Sequence, residues 1–139
     1  NVIEDYLTSI KELQLFLPFK QLLEASGYYD IHIIHGATEF GKDFIAKKNI
    51  NGVETQFFFQ LKVGDVNLHR FRNEIQPQIL EACTNSLSHP NFNRQLTPQV
   101  VFVTSGNLLP PATIAFQEFN QFLQTKLHSL PVVAWEKEN

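Results

Sequence analysis

The chain is 139 residues long, 43% hydrophobic and 18% charged, which is enough to bury one core and excludes a disordered chain. A net charge of −3 excludes a generic basic nucleic-acid coat protein, and a single cysteine, Cys83, excludes an internal disulfide and a cysteine-rich zinc site. One cysteine fits a reducing, cytoplasmic compartment, and the apolar runs are too short to span a bilayer, so no membrane partner is expected. Thirteen phenylalanines against one tryptophan predict a core of flat rings. No methionine occurs and the chain starts at Asn1, so we expect a piece of a longer polypeptide whose remainder is a partner.

In chain order, residues 2–26 read as helical, with Ile3, Leu7, Ile10 and Leu13 on one face. Pro18 divides this stretch, and the second segment should stop at Gly27. Asp30–His35 reads as a short strand. Asp43 to Ile50 and Val53 to Val63 read as two strands joined by a tight Asn51-Gly52 turn. Leu68, Phe71, Ile75, Ile79, Ala82 and Leu87 mark a helix that Pro77 should kink or restart, because proline lacks the backbone donor and crowds the preceding turn. Residues 88–98 read as a polar loop and Val100 to Thr104 as a buried strand. Ala112 to His128 reads as a helix and Pro131 to Ala134 as a last strand. The order is α-β-β-β-α-β-α-β.

A two-residue turn at Asn51-Gly52 pairs Ile50 with Val53 and so fixes the register. Asp43 then lies opposite Gln60, and Lys62, two residues on, shares the face of Gln60. Directly opposed Cβ atoms are ~4.5–5.5 Å apart, close enough for one cation to reach both side chains, since hard metals bind oxygen at ~2.0–2.6 Å. Phe44, Ala46, Ile50, Val53, Phe57, Phe59, Leu61 and Val63 form the predicted core face. Asp43, Ile45, Lys47, Asn49, Glu54, Gln56, Phe58, Gln60 and Lys62 form the other. Charge is uneven: residues 1–41 carry six acidic and two basic side chains, whereas residues 42–73 carry six basic against three acidic. That basic middle could receive a phosphate backbone, or could be a solvated hairpin edge whose lysines discourage aggregation.

Glu39-Phe40-Gly41-Lys42-Asp43 followed by Gln60-Leu61-Lys62 resembles the PD-(D/E)xK nuclease superfamily, in the variant whose second motif reads QxK, as in Mrr-like restriction endonucleases. The element order also resembles that family's core of a helix, three antiparallel strands, a helix and a strand. The resemblance implies an α/β, restriction-endonuclease-like fold over residues 1–139, with a mixed central sheet flanked by helices. It implies a Mg²⁺- or Mn²⁺-dependent endonuclease acting on DNA, most naturally double-stranded, in the manner of a bacterial defence effector and with a homodimer as one way to cut both strands. Carried over residue by residue, Asp43 is the main metal carboxylate and Gln60 a neutral oxygen ligand. The Leu61 backbone carbonyl is a further ligand, and Lys62 orients the attacking water and covers developing charge. Glu39 is a candidate extra carboxylate, Glu24 and Gln78 are auxiliary candidates, and Lys42, Lys47, Arg70 and Arg72 are candidate nucleic-acid contacts. Lys42 stands where the family name has Pro, and Gln60 where the family more often has Glu or Asp.

Two rivals remain open on the sequence. One is the same fold without catalysis, serving as a nucleic-acid-binding or regulatory module. The other is a protein-interaction domain of unrelated topology, in which Asp43 and Gln60 are not cross-strand neighbours. The histidines lack zinc spacing, Cys83 falls among core positions, and Thr104-Ser105-Gly106-Asn107 reads as a helix cap.

Overall fold

Asn51 and Gly52 both take positive φ, 53° and 83°, as a two-residue hairpin turn matched to the strand twist requires. The computed structural model describes residues 2–3, 17–34, 42–83, 93, 95–96, 98–128 and 130–137, with residues 34, 42, 43 and 81–83 described by backbone alone. Its elements are helix α1 (residues 17–25), strands β1 (Tyr29–Ile34), β2 (Lys42–Ile50) and β3 (Val53–Lys62), helix α2, strand β4 (Gln99–Thr104), helix α3 (Pro110–Lys126) and strand β5 (Val133–Trp135). Helix α2 is continuous in three pieces, Leu68–Arg70, Phe71–Ile75 and Gln76–Cys83, the middle one a π-helical turn.

The strands lie in sequence order in one sheet. β1, β2 and β3 are antiparallel neighbours, and β3–β4 and β4–β5 are parallel. This is a mixed α/β sheet flanked by helices, in the element order read from the sequence. The β2–β3 ladder runs unbroken from Ile50↔Val53 to Lys42↔Leu61, so Asp43 pairs with Gln60 as the turn predicts.

One expectation about the hairpin is corrected. Both of its faces are buried, not one. Phe44, Ala46, Phe57, Phe59 and Leu61 join Leu23 of α1 and Val101 and Val103 of β4 in one core. Phe59 is its hub: it stacks on Phe44 at 4.9 Å between centroids and meets Phe19, Tyr28, Phe57 and Trp135 within 5.9 Å. On the opposite face, Ile45 and Phe58 join Phe71, Ile75 and Ile79 of α2 and Phe116, Phe119 and Leu123 of α3 in a second core. Ile50 and Val53, placed on the core face by alternation, are exposed because they flank the turn beyond the covering helix.

Element ends shift for physical reasons. Helix α1 closes with Tyr28 N–H to the Leu23 carbonyl and Gly27 N–H to the Glu24 carbonyl, with Gly27 at φ 95°; this is a Schellman cap. Helix α3 starts at Pro110 rather than Ala112, since prolines suit a first turn whose N–H groups have no intrahelical partner. Strand β5 starts at Val133 rather than Pro131, because the backbone of Val132 is hydrogen-bonded on both sides to the Asn120 amide of α3. The predicted helical features at 4–16, Gly41 and most of the 88–98 loop lie outside the described residues.

The expected cap at Thr104–Asn107 is also corrected. Helix α3 takes Leu109 as its N-cap, and the segment instead ties the end of β4 to the end of β3. Ser105 Oγ accepts from Gly64 N–H, Thr104 Oγ1 donates to the Gly64 carbonyl, and Asp65 Oδ1 accepts from Asn107 N–H. A Cβ on Gly106 would fall 2.5 Å from the Gly64–Asp65 backbone, so only glycine permits this approach. Among the described residues no helix is long and apolar enough to cross a membrane.

Candidate active site

The ladder positions the site. Asp43 lies in β2 between Ile34 of β1 and Gln60 of β3. Lys62 follows on the Gln60 face, one step toward the strand end and opposite Thr104 of β4. Leu61 between them turns its side chain into the aromatic core, leaving its backbone as the part available to the site. Gln60 and Lys62 are fully buried, at 0% exposure, which sets them apart from ordinary strand-end polar residues.

Gln78 arrives from α2. Asn67 caps that helix by accepting from Arg70 N–H at 2.8 Å. Its π-helical turn ends at Ile75, two residues before Pro77, and this wider turn gives the pyrrolidine ring room that a regular α-turn denies. The kink or restart expected at Pro77 is thus a π turn just upstream, after which α-helix resumes at Gln76. Ile75 and Ile79 are both fully buried, and between them Gln78 reaches the sheet, where Gln60 Nε2 donates to Gln78 Oε1. The Gln60 carbonyl oxygen, Oε1, is buried with no hydrogen-bond partner among the described residues.

A buried acceptor without a donor costs about 1–3 kcal/mol, and such groups are few in folded proteins. A divalent cation answers that cost, because Mg²⁺ and Mn²⁺ take oxygen ligands and need no hydrogen. The Gln60 oxygen, the carboxylate type at the cross-strand position 43 and the Leu61 carbonyl form a donor set that fits such an ion. Among the described residues there is no cluster of three His, Cys, Asp or Glu.

The other predicted residues divide. Glu39 lies outside the described residues, and of Lys42 only the strand position is described. Glu24 is not brought to the group. Helix α1 covers the opposite sheet face through Leu23, and its exposed end leads into β1 at the level of Lys47, four residues or ~13 Å along β2 from Asp43. The basic stretch is engaged within the chain at two of its four candidate contacts. Lys47 Nζ sits 2.9 Å from Asp30 Oδ2. Arg70 donates to Glu74, to the Val63 carbonyl and to the Asp65 carbonyl, clamping the β3–α2 connection. Arg72 is exposed and lines a cavity of ≈310 Å³ between α2 and α3 with Gln76, Glu118 and Phe122; none of the proposed metal ligands lines it.

One cluster was missed on the sequence. Asp30 holds Lys47 and also His32, whose Nε2 lies 2.6 Å from Asp30 Oδ1. Asp30 takes φ 54° beside an irregularity in the β1–β2 ladder. The hydrogen bond from Lys47, then that with His32, holds the Asp30 carboxyl below its ordinary range, and the same bond raises the Lys47 ammonium. The available signal was the spacing of Asp30 and His32 two residues apart on one strand; the approach of Lys47, which the ladder pairs with Tyr29, is set by the fold.

No protein-family model matches the chain, and no curated protein matches it. Among solved structures it is similar to the DNA modification-dependent restriction endonuclease AspBHI, with a TM-score of 0.40 and 12% identity over 78% of this chain and 24% of that one. The chain thus spans about a quarter of that protein's length. At this identity and TM-score the overlap assigns no activity and no residue role to the chain.

Proposed function

We propose that the chain is a metal-dependent nuclease domain that hydrolyses phosphodiester bonds of DNA. The observation that carries the reading is the direct cross-strand pairing of Asp43 with Gln60, with buried Lys62 on the same face. Hydrolysing a phosphodiester needs an oriented water, cover for negative charge building on the phosphate oxygens, and a way past the charge of the backbone. Mg²⁺ or Mn²⁺, when bound, supplies Lewis acidity and a more acidic water. Asp43, Gln60 Oε1 and the Leu61 carbonyl hold the ion, with Glu39 as a further carboxylate. Lys62 donates to the attacking water and to the phosphate oxygens from an Nζ that burial holds in place before the reaction begins. Arg72 and Lys42 are the basic contacts we propose for the strand; Lys47 and Arg70 are engaged inside the chain.

The substrate reading is double-stranded DNA met in the cytoplasm, with the domain serving as an effector in a longer defence polypeptide and pairing as a homodimer to cut both strands. A second reading, a silent module that binds nucleic acid, draws on the neutral Gln60 at a ligand position.

Cleavage of supercoiled plasmid with Mg²⁺ or Mn²⁺ tests the proposal. Wild type should nick or linearise the plasmid and EDTA should stop it, while Asp43→Ala and Lys62→Ala should each lose at least about 10²–10³ in rate. Equal cleavage by all three proteins overturns the assignment. Mn²⁺ binding that depends on Asp43, with no cleavage of any DNA or RNA, selects the silent module.

A further inference from the structure

Two buried amides meet at the end of β3. Gln60 Nε2 donates to Gln78 Oε1, and Gln60 Oε1 has no hydrogen-bond partner among the described residues. An amide can turn over about its last bond, exchanging its acceptor oxygen for a two-hydrogen donor. Toward a cation only one of the two orientations works. A carboxylate at position 60 would face no such choice, because both of its oxygens accept. The glutamine therefore needs a neighbour that takes up its nitrogen, and that neighbour must present an acceptor.

We infer that Gln78 is a positioning residue for the metal site. By accepting from Gln60 Nε2 it commits the Gln60 oxygen to a cation shared with Asp43. This rests on the metal-dependent reading above and deepens it. The support for Gln78 is rigid, since Ile75 and Ile79 are fully buried on either side of it in α2. Its contact with the sheet crosses from helix to strand, so it also fixes Gln60 in space before any ion arrives.

Two measurements on the whole chain test this without nucleic acid. The first is calorimetric titration with Mn²⁺; the second is NMR of the Gln60 side-chain amide protons without metal. Gln78→Leu should weaken Mn²⁺ binding about 10- to 100-fold, as expected when a partner of a metal ligand is removed. Gln78→Glu keeps an acceptor and should retain binding. In a Gln60→Glu background, where orientation no longer matters, Gln78→Leu should cost less than about threefold, a coupling that only interacting residues show. The Gln60 amide protons should exchange slowly in wild type and Gln78→Glu, and quickly in Gln78→Leu. Equal losses in both backgrounds would mean a merely structural role and overturn the inference, as would wild-type affinity or unchanged amide exchange in Gln78→Leu. If Mn²⁺ binding is absent, or is the same in Asp43→Ala, the metal reading itself falls and this inference with it. Unfolding midpoints of each variant, read alongside, separate loss of fold from loss of orientation.

Discussion

Gln56 and Gln60 are the same residue type, on the same strand and the same sheet face, buried to 1% and 0% exposure. Gln56 is fully partnered. Its Nε2 donates to the Asn93 and Leu96 carbonyls at 2.9 and 3.1 Å, and its Oε1 accepts from Asn93 N–H at 2.8 Å. Gln60 spends its nitrogen on Gln78 and leaves its oxygen over. The first pins a loop to the sheet. The second keeps an acceptor open in the interior, a cost to folding that a bound cation would offset, which is why we propose a ligand role for it. Burial and residue type do not separate the two glutamines; hydrogen-bond completeness does.

The sharpest way to break this contrast is to remove each amide. Gln60→Leu should lower plasmid cleavage by at least about 10²-fold. It should change the free energy of unfolding by less than about 1 kcal/mol, because stranding Gln78 Oε1, which keeps some exposure, is offset by removing the unsatisfied Gln60 oxygen. Gln56→Leu should do the reverse: it strands the Asn93 and Leu96 backbone groups, costing about 1–3 kcal/mol in urea unfolding, and leaves Mn²⁺ affinity as it was. A large stability loss in Gln60→Leu would erase the distinction. Gly106→Ala tests the frame that holds the Lys62 end of the strand. Its Cβ meets backbone at 2.5 Å, and strain of that kind costs about 1–3 kcal/mol, read as a lower unfolding midpoint.

The smallest effect belongs to the Asp30 cluster, whose ion pair is partly exposed and worth about 0.2–1 kcal/mol. The Asp30 carboxyl is held below its ordinary 3.8. Its contribution is therefore full above that value and is lost as pH falls through the lower folded one. The stability gap between wild type and Asp30→Asn, measured by urea unfolding, should close below about pH 4. A gap that persists undiminished at lower pH would contradict the assignment.

The hairpin was legible because a two-residue turn admits one register, and Asp43 opposite Gln60 followed from Asn51-Gly52 alone. The second core was not. Period-two alternation reports which residues share a face and is silent on whether that face meets water or a helix. The clue was Ile45 beside Phe58 on the face read as polar, a cross-strand apolar pair that a solvated surface would not favour. The engagement of Lys47 and Arg70 was hidden for a related reason. A run of basic residues looks like one patch in sequence, while their partners Asp30, Glu74 and the Val63 carbonyl are set by the fold. Gln78 was named as a polar neighbour of the site, but its grip on Gln60 depends on the rotation of α2, which no spacing rule gives.

That rotation has a setting, much as a gear has. A helix advances about 100° per residue, and the π-helical turn at Phe71–Ile75 takes up one residue more than an α-turn would before Pro77. Had the same residues wound at regular α pitch, everything after the turn, Gln78 included, would stand about 100° further round relative to Asn67 and the capped first turn. Ile75 and Ile79 could not both stay in their core, and Gln78 would leave Gln60. The wide turn is thus a timing device, and the candidate site's geometry is written in the winding of a segment that carries none of its proposed ligands.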